Sequence, residues 1–424
     1  MSIEKTLEYI HSVKWQGSKP GLSRTRTLLA ALGNPERTLN FVHIAGTNGK
    51  GSTAACLDAC LRAAGYRVGL YTSPYINRFN ERMRVDGLPI PDDALEALVE
   101  EIRPTADAMA DSPTEFELIT ALGFLHFARS RCDIVVLEVG LGGELDSTNV
   151  IGPPEAAVIT ALGPDHTEVL GNTMAEIARA KAGIIKEGCP VISYGGNPEA
   201  DRVIADTCRA RGAALYPVDF SALTLLPGTP EATRFHFGPL KDLSLPLLGS
   251  YQAFNAATAI TALRVLADRG WNITDEHIRA GLASVRWPGR FELLRKDPPF
   301  ILDGSHNPPG MEATAQSLRD RFPGQRFFFL ISVMADKDVA GMLAPILPLA
   351  EGFIAVRANL PRAMPAEDLA ALIRSLGGAA ETAPTIPAGV ARALARSGGR
   401  APVCALGTLY FSADVRRAVE DALP

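Results

Sequence analysis

Short apolar runs rich in β-branched residues alternate with segments of helical periodicity along most of this chain. Phe41-Val42-His43-Ile44 reads as a strand, and 52–64 reads as a helix with Ala, Cys and Leu on its inner face, ended by Gly65. Tyr66 to Tyr71 is the next strand, 116–128 an apolar helix, and Asp133 to Val139 a buried strand ending near an acid. A strand at 156–160, a helix at 173–185 and a strand at 190–193 continue the rhythm. Continuous apolar strands separated by helices specify a mostly parallel sheet covered on both faces. The rhythm breaks at 213–248, where short alternating pieces with Pro and Gly predict a small antiparallel sheet. After a helix at 253–269, RWPGRFELL (286–294) precedes a second alternation: strand 300–302, helix 311–321, strand 326–333, helix 337–350, strand 352–357, strand 403–406 and a helix from Ser412. The expected architecture is α/β in two domains. Residues 1–287 carry the large sheet with the small antiparallel one, and 288–424 form a smaller Rossmann-like domain. A length of 424 residues agrees with two cores.

Composition restricts the partners. An apolar fraction of 47% and a charged fraction of 21% suit a water-soluble globular chain. The net charge of −5 argues against a nucleic-acid surface, while leaving room for local phosphate or carboxylate sites. None of the six cysteines, Cys56, Cys60, Cys132, Cys189, Cys208 and Cys404, falls in a C-x-x-C or a zinc spacing. They read as reduced, buried residues of a cytoplasmic protein. MSIEKTLEYIHSVKW has charges throughout, unlike a signal peptide, and no run of 18 apolar residues marks a membrane span.

Between the first strand and its helix lies HIAGTNGKGS, His43 to Ser52. The common phosphate-loop pattern asks for Gly at position 44 and Ser or Thr at 51, where Ile44 and Gly51 stand. Its position still suits phosphate: backbone N–H groups and the helix dipole converge where a strand turns into a helix. Gly46, Gly49 and Gly51 allow close approach, with Thr47 and Asn48 between the first two. Lys50 can neutralise β/γ-phosphate charge, and Ser52 can reach phosphate or a metal ion. The plainer alternative is a tight turn with a solvated lysine.

Further motifs follow in order: TSPYINRFNER (72–82), TEFELITALGF (114–124), LEVGLGGELDSTN (137–149), DHTEVLG (165–171), AKAGIIK (180–186), QAFNAATAI (252–260), WPGRFE (287–292), LDGSHNP (302–308), DKD (336–338) and GTLYFSADVR (407–416). Together with GTNGKGS they resemble the folylpolyglutamate synthase/dihydrofolate synthase family of the Mur ligase superfamily. Each motif is weak alone, but the ordered set is specific and covers nearly the whole chain. Two positions depart from the family pattern: Glu144 stands where Arg is common, and Gly163-Pro164 precedes Asp165-His166 where apolar residues are usual.

The resemblance assigns roles that residue type alone leaves open. Glu138, at a strand end, suits Mg²⁺, a hard ion that prefers oxygen, or else caps a helix. His166 and Ser73 read locally as turn residues, and the resemblance makes them metal ligands beside Glu138. Lys181 reads locally as a lysine reaching to water. The resemblance makes it a carbamylated lysine, which needs a neutral, desolvated amine and supplies an anion for the metal. Gln252, Asn255, Arg290 and Asp303 resemble the family's ATP contacts. Arg suits phosphate, and Asp suits ribose hydroxyls or an orienting Arg. His306, Lys337 and Ser412, at strand-to-helix turns, are candidates for glutamate and the reacting carboxylate. Phe116 and Asp146 are candidates for the pterin end, by stacking and hydrogen bonding. Core, surface or capping roles remain the alternatives for these residues.

The implied reaction is ATP-dependent amide formation between a folate-type carboxylate, dihydropteroate or tetrahydrofolate, and L-glutamate, through an acyl phosphate. Lys50, Lys181 and His306 would be its catalytic side chains, ATP and Mg²⁺ its cofactors, and a monomer its working form. Against a peptidoglycan Mur ligase stand the mere 45 residues before Gly46. Against a phosphate-loop kinase or NTPase stand the loop spacing and the second domain. Against a non-enzymatic nucleotide-binding module stands the joint presence of Lys50, Glu138, His166 and Lys181.

Overall fold

The computed structural model describes residues 2–12, 21–229 and 231–422; the end of the charged N-terminal stretch, 13–15, lies outside them. The chain divides into two compact units, Met1–Ala222 with Asn255–Val285, and Leu223–Phe254 with Arg286–Pro424.

The first unit is built on one sheet. Its strands are β1 (Phe41–Ala45), β2 (Val68–Tyr71), β3 (Met83–Val85), β4 (Leu88–Pro89), β5 (Ile134–Glu138), β6 (Ala156–Ile159), β7 (Val191–Ser193) and β8 (Leu215–Pro217). They are ordered β4-β3-β2-β5-β1-β6-β7-β8. From β2 to β8 all neighbours run parallel, and β3 and β4 add an antiparallel edge. β1, β2, β5 and β6 are buried along their whole length, as their apolar sequences require. The crossover from β5 to β6 passes over β1, so chain order reverses beside β1. Such a switch point opens a crevice at the carboxyl ends of the strands.

Local chemistry fixes the helices that serve this crevice. Glu115–Arg129 starts at a capping box in which Thr114 Oγ1 accepts from Glu117 N while Glu117 returns to Thr114 N. Met174–Ala182, the helix of Lys181, starts at a second box made by Thr173 and Glu176. Lys50–Ala63 packs against Asp275–Ser284 so closely that a methyl on Gly281 would lie 2.4 Å from Cys60 Cα.

The second unit carries two sheets. Antiparallel β9 (Leu223–Thr229), β10 (Ala232–Phe237) and β11 (Leu240–Leu245) form a meander, as the breaking rhythm predicts. Residues 215–217 are a correction: they extend the large sheet parallel to β7, because helix Pro198–Ala210 provides the crossover that a parallel partner needs. The other sheet has β12 (Glu292–Lys296), β13 (Pro299–Leu302), β14 (Phe327–Ile331), β15 (Ala350–Ala355), β16 (Ala380–Thr382) and β17 (Val403–Leu406), ordered β12-β13-β17-β14-β15-β16. Only β12 runs antiparallel to its neighbour. Helix 337–350 is also corrected: Asp338 caps a short helix, Val339–Leu343, and Pro345 and Pro348 stop its continuation. Among the described residues no helix is long and apolar enough to cross a membrane.

Candidate active site

Four loops leave the carboxyl ends of the adjacent strands β2, β5, β1 and β6 and carry Gly46 to Gly49, Ser73, Asp146 and His166, while Glu138 ends β5 and Lys50 to Ser52, Phe116, Lys181 and Asn255 lie on helices. The loop after β1 is rigidly held. A methyl on Gly46 would lie 1.8 Å from Thr160 Oγ1, so only glycine fits there. Thr160 Oγ1 donates to Asn48 O at 2.8 Å, and Thr47 N and Asn48 N both donate to Ala161 O. Thr47 Oγ1 donates to Gly163 O at 2.9 Å and accepts from Gly163 N at 3.1 Å. These groups brace the loop after β6. Anion contact then falls to the helix end: Gly49 is the N-cap of Lys50–Ala63, and first-turn N–H groups, here those of Lys50, Gly51 and Ser52, have no intrahelical acceptor. Asn255 faces the same turn, since a methyl on Gly49 would meet its Oδ1 at 2.4 Å.

Two amines share one carbonyl at this loop. Lys50 Nζ donates to Gly46 O at 3.0 Å and Thr47 O at 3.2 Å, and Lys181 Nζ donates to Gly46 O at 2.9 Å. Lys181 is 4% exposed. Burial, reinforced by Lys50, pulls its pKa down to about 7. Buried Glu138 accepts from Ser73 N at 3.1 Å, which joins the ends of β5 and β2. His166 lies on an exposed turn, at φ 49°, with its own N–H held by Asp165. Among the described residues no three His, Cys, Asp or Glu side chains converge. Glu138 and the Ser73 hydroxyl are oxygen donors of the kind that a hard ion such as Mg²⁺ prefers.

The structure brings the Phe116 ring, on helix Glu115–Arg129, against the 140–148 loop that holds Asp146. A methyl on Gly140 would meet Phe116 Cζ at 2.4 Å, and the Phe116 ring lies 6.2 Å from that of Tyr71. Asp146 accepts from Leu141 N at 2.8 Å, Thr148 N at 3.0 Å and Thr148 Oγ1 at 2.6 Å. Burial raises its pKa, and these donors oppose the rise. Of the two departures from the family pattern, Glu144 is exposed, whereas Gly163 is the buried residue clasped by Thr47.

In the second unit, Asp303 follows β13 and is 1% exposed. Its Oδ2 accepts from Tyr251 OH at 2.9 Å and Phe291 N at 2.8 Å. Its Oδ1 accepts from Ser305 N, Ser305 Oγ and Thr314 Oγ1. Arg290 lies beside it, with Nη1 3.5 Å from Gly304 O. His306 Nδ1 is 2.8 Å from the same carbonyl, which can only accept, so Nδ1 carries the proton and Nε2 is the ring's acceptor. Lys337 follows β14, while Ser412 opens the final helix with a buried hydroxyl that has no hydrogen-bond partner among the described residues. Gln252 is fully buried in helix Tyr251–Asp268.

Several residues at the site escape sequence reading: Thr160, His43, Thr148 and Tyr251. Their only sequence signal is a polar side chain inside an apolar or glycine-rich stretch.

Comparison with known proteins supplies the family. Residues 44–263 match the Mur ligase middle domain, and 289–409 match the Mur ligase glutamate ligase domain. The dihydrofolate synthase/folylpolyglutamate synthase of Bacillus subtilis is 39% identical over 96% of this chain and 97% of its own length. The folylpolyglutamate synthase of Lacticaseibacillus casei is 41% identical over 81% of this chain and 82% of its own. Mycobacterium tuberculosis folylpolyglutamate synthase, solved with ADP and AMPPCP, superposes with a TM-score of 0.90 at 31% identity, covering 98% of both chains. By full-length identity and by fold, this chain belongs to the folylpolyglutamate synthase/dihydrofolate synthase family of the Mur ligases.

Proposed function

We infer that this chain is an ATP-dependent ligase that joins L-glutamate to a folate-type carboxylate, giving ADP and phosphate. The observation that carries this reading is the match to dihydrofolate synthase/folylpolyglutamate synthase over 96% of the chain. The phosphate loop described above is its chemical counterpart.

The acid's carboxylate oxygen attacks the γ-phosphorus of ATP, the bond to the β-phosphate oxygen breaks, and ADP leaves an acyl phosphate. The α-amine of glutamate, after losing a proton, attacks the acyl carbon. Phosphate departs with the C–O bond electrons, and the amide remains. Lys50 turns from Gly46 O and Thr47 O to the β/γ-phosphates and, with Arg290, offsets charge in the first step. The first-turn N–H groups of Lys50, Gly51 and Ser52 orient the phosphates, and Asn255 and Gln252 serve the adenine side. Asp303 fixes Arg290 through the turn it organises.

Mg²⁺ would be held by Glu138, Ser73, His166 and a carbamate on Lys181, and when bound it neutralises phosphate charge. Lys181 suits carbamylation because burial leaves part of its amine neutral near pH 7, able to add CO₂ with loss of a proton. Phe116 and Asp146 would border the pterin ring. His306, Lys337 and Ser412 would receive glutamate and the reacting carboxylate. In this reading residues 1–287 serve ATP and the acid, residues 288–424 serve glutamate and lend Arg290 and Asp303 to ATP, and the enzyme works as a cytoplasmic monomer using both dihydropteroate and tetrahydrofolate.

The test is phosphate release by purified protein with ATP, Mg²⁺ and L-glutamate, offered each acid separately. Release is expected only when acid and glutamate are both present. Absence of turnover with either acid overturns the reading, and turnover of one alone removes its bifunctional part.

A further inference from the structure

His43 sits in the middle of β1, fully buried, three residues before Gly46. Its Nε2 lies 2.9 Å from Thr148 Oγ1, and Thr148 Oγ1 donates to Asp146 Oδ1 at 2.6 Å. A hydroxyl has one proton to donate. Thr148 gives it to Asp146, so the histidine contact runs the other way, from Nε2–H into the threonine oxygen. The tautomer is thereby fixed, with Nδ1 a bare lone pair. Among the described residues that nitrogen has no hydrogen-bond partner. Leu or Phe would fill the space without a buried acceptor left unmatched, which is costly. What histidine adds is the one donor on its other side.

That donor lies at the root of the 140–148 loop. Asp146 collects Thr148 Oγ1, Thr148 N and Leu141 N, so it pins both ends of the loop together. The loop begins two residues after Glu138 and lays Gly140 against the Phe116 ring. Thr148 also stands beside Ser147, whose hydroxyl is 2.9 Å from Thr120 Oγ1; Thr120 in turn donates to Phe116 O. The strand that delivers the phosphate loop thus also sets the loop beside Phe116.

We propose that His43 is a positioning residue for the acid substrate: its Nε2–H orients Thr148, and through it Asp146 and the 140–148 loop, against the pterin end of a folate-type acid. This rests on the ligase reading above. Steric filling alone would be served by any apolar side chain of similar size, whereas this role requires a donor at the Nε2 position. Glutamine places an amide N–H at that distance from the backbone, and leucine does not.

The test compares H43Q, H43L, T148V and the H43L/T148V double variant in steady-state phosphate release, with KM measured separately for dihydropteroate or tetrahydrofolate and for ATP. H43L is expected to raise the KM for the acid by about tenfold, the effect of one buried hydrogen bond, while leaving the KM for ATP unchanged. H43Q is expected to restore most of that loss. The double variant is expected to be no worse than T148V. Equal damage by H43Q and H43L, an unchanged acid KM in H43L, effects that multiply in the double variant, or parallel loss on the ATP side would each overturn the proposal. If H43L does not fold, T148V and H43Q decide by the same two KM values. Wild-type protein without acid-dependent release overturns the ligase reading, and this inference with it.

Discussion

A single carbonyl, that of Gly46, receives both Lys50 and Lys181, and the proposed function gives the two amines different roles. Lys50→Ala removes the cation proposed to face the β/γ-phosphates and is expected to lower kcat/KM by about 100-fold or more, as for loss of a charge that stabilises a transition state. Lys181→Ala is expected to abolish most turnover while leaving thermal stability equal or higher, because a desolvated amine is removed from the interior. Full activity in that variant would end the carbamate assignment. His43 makes a pH prediction. Burial pushes its pKa from 6.5 down to about 3, so below pH 6.5 the unfolded chain takes a proton that the folded chain refuses. Stability therefore falls from pH 6.5 toward pH 3, by up to about 1.4 kcal/mol per pH unit from this group. Urea titrations of wild type and His43→Gln check it, with the variant expected to show the shallower slope. The sequence made Gly46, Gly49 and Lys50 legible because strand, loop and helix are local. What Thr47 does was hidden, since its partner Gly163 lies 116 residues away. The donor chain from His43 to Asp146 was hidden for the same reason, spanning 105 residues in its first link.

Elements were legible where hydrophobic period and caps agreed. The strand cores of the large sheet follow directly from their β-branched runs, and the boxes at Thr114 and Thr173 are written in sequence as T-x-x-E. Ambiguity entered where one signal stood alone. Leu215–Pro217 is too short for its alternation to reveal which sheet it joins, and 337–350 has helical spacing but two prolines. Two contacts between elements carry predictions. Gly281→Ala would force helix Asp275–Ser284 off Cys60 and is expected to destabilise the fold by roughly 1–3 kcal/mol in urea unfolding. Arg321 ends helix Pro308–Arg321, and its guanidinium serves the carbonyls of Leu248 at 2.5 Å, Thr229 at 2.8 Å and Ala232 at 3.2 Å, near the antiparallel meander. Arg321→Ala leaves partly buried carbonyls without that donor, and a loss of about 1–3 kcal/mol is expected.

At the scale of the molecule, each unit holds apolar clusters of its own. Leu28, Phe41, Tyr71, Leu122 and Phe124 share one cluster in the first, while Phe329, Phe353, Met342 and Leu369 share one in the second. A chain with separate cores need not unfold in one step. The two-core plan was legible in the two runs of βα alternation. The meander's grouping with the second unit was not, because residues 223–254 precede that unit's main sheet in the chain. The buried cysteines turn this division into a measurement. All six are free and buried, and burial raises every thiol pKa, so alkylation of the folded protein is expected to be slow at each of them. Cys56, Cys60, Cys132, Cys189 and Cys208 lie in the first unit, and Cys404 lies in the second. Each added label is a mass increment, so the intact protein works as a counter of its own opening. Alkylation in partly denaturing urea is expected to give species with one or five labels beside those with none and six. A spectrum of only none and six would mean that the two cores open together.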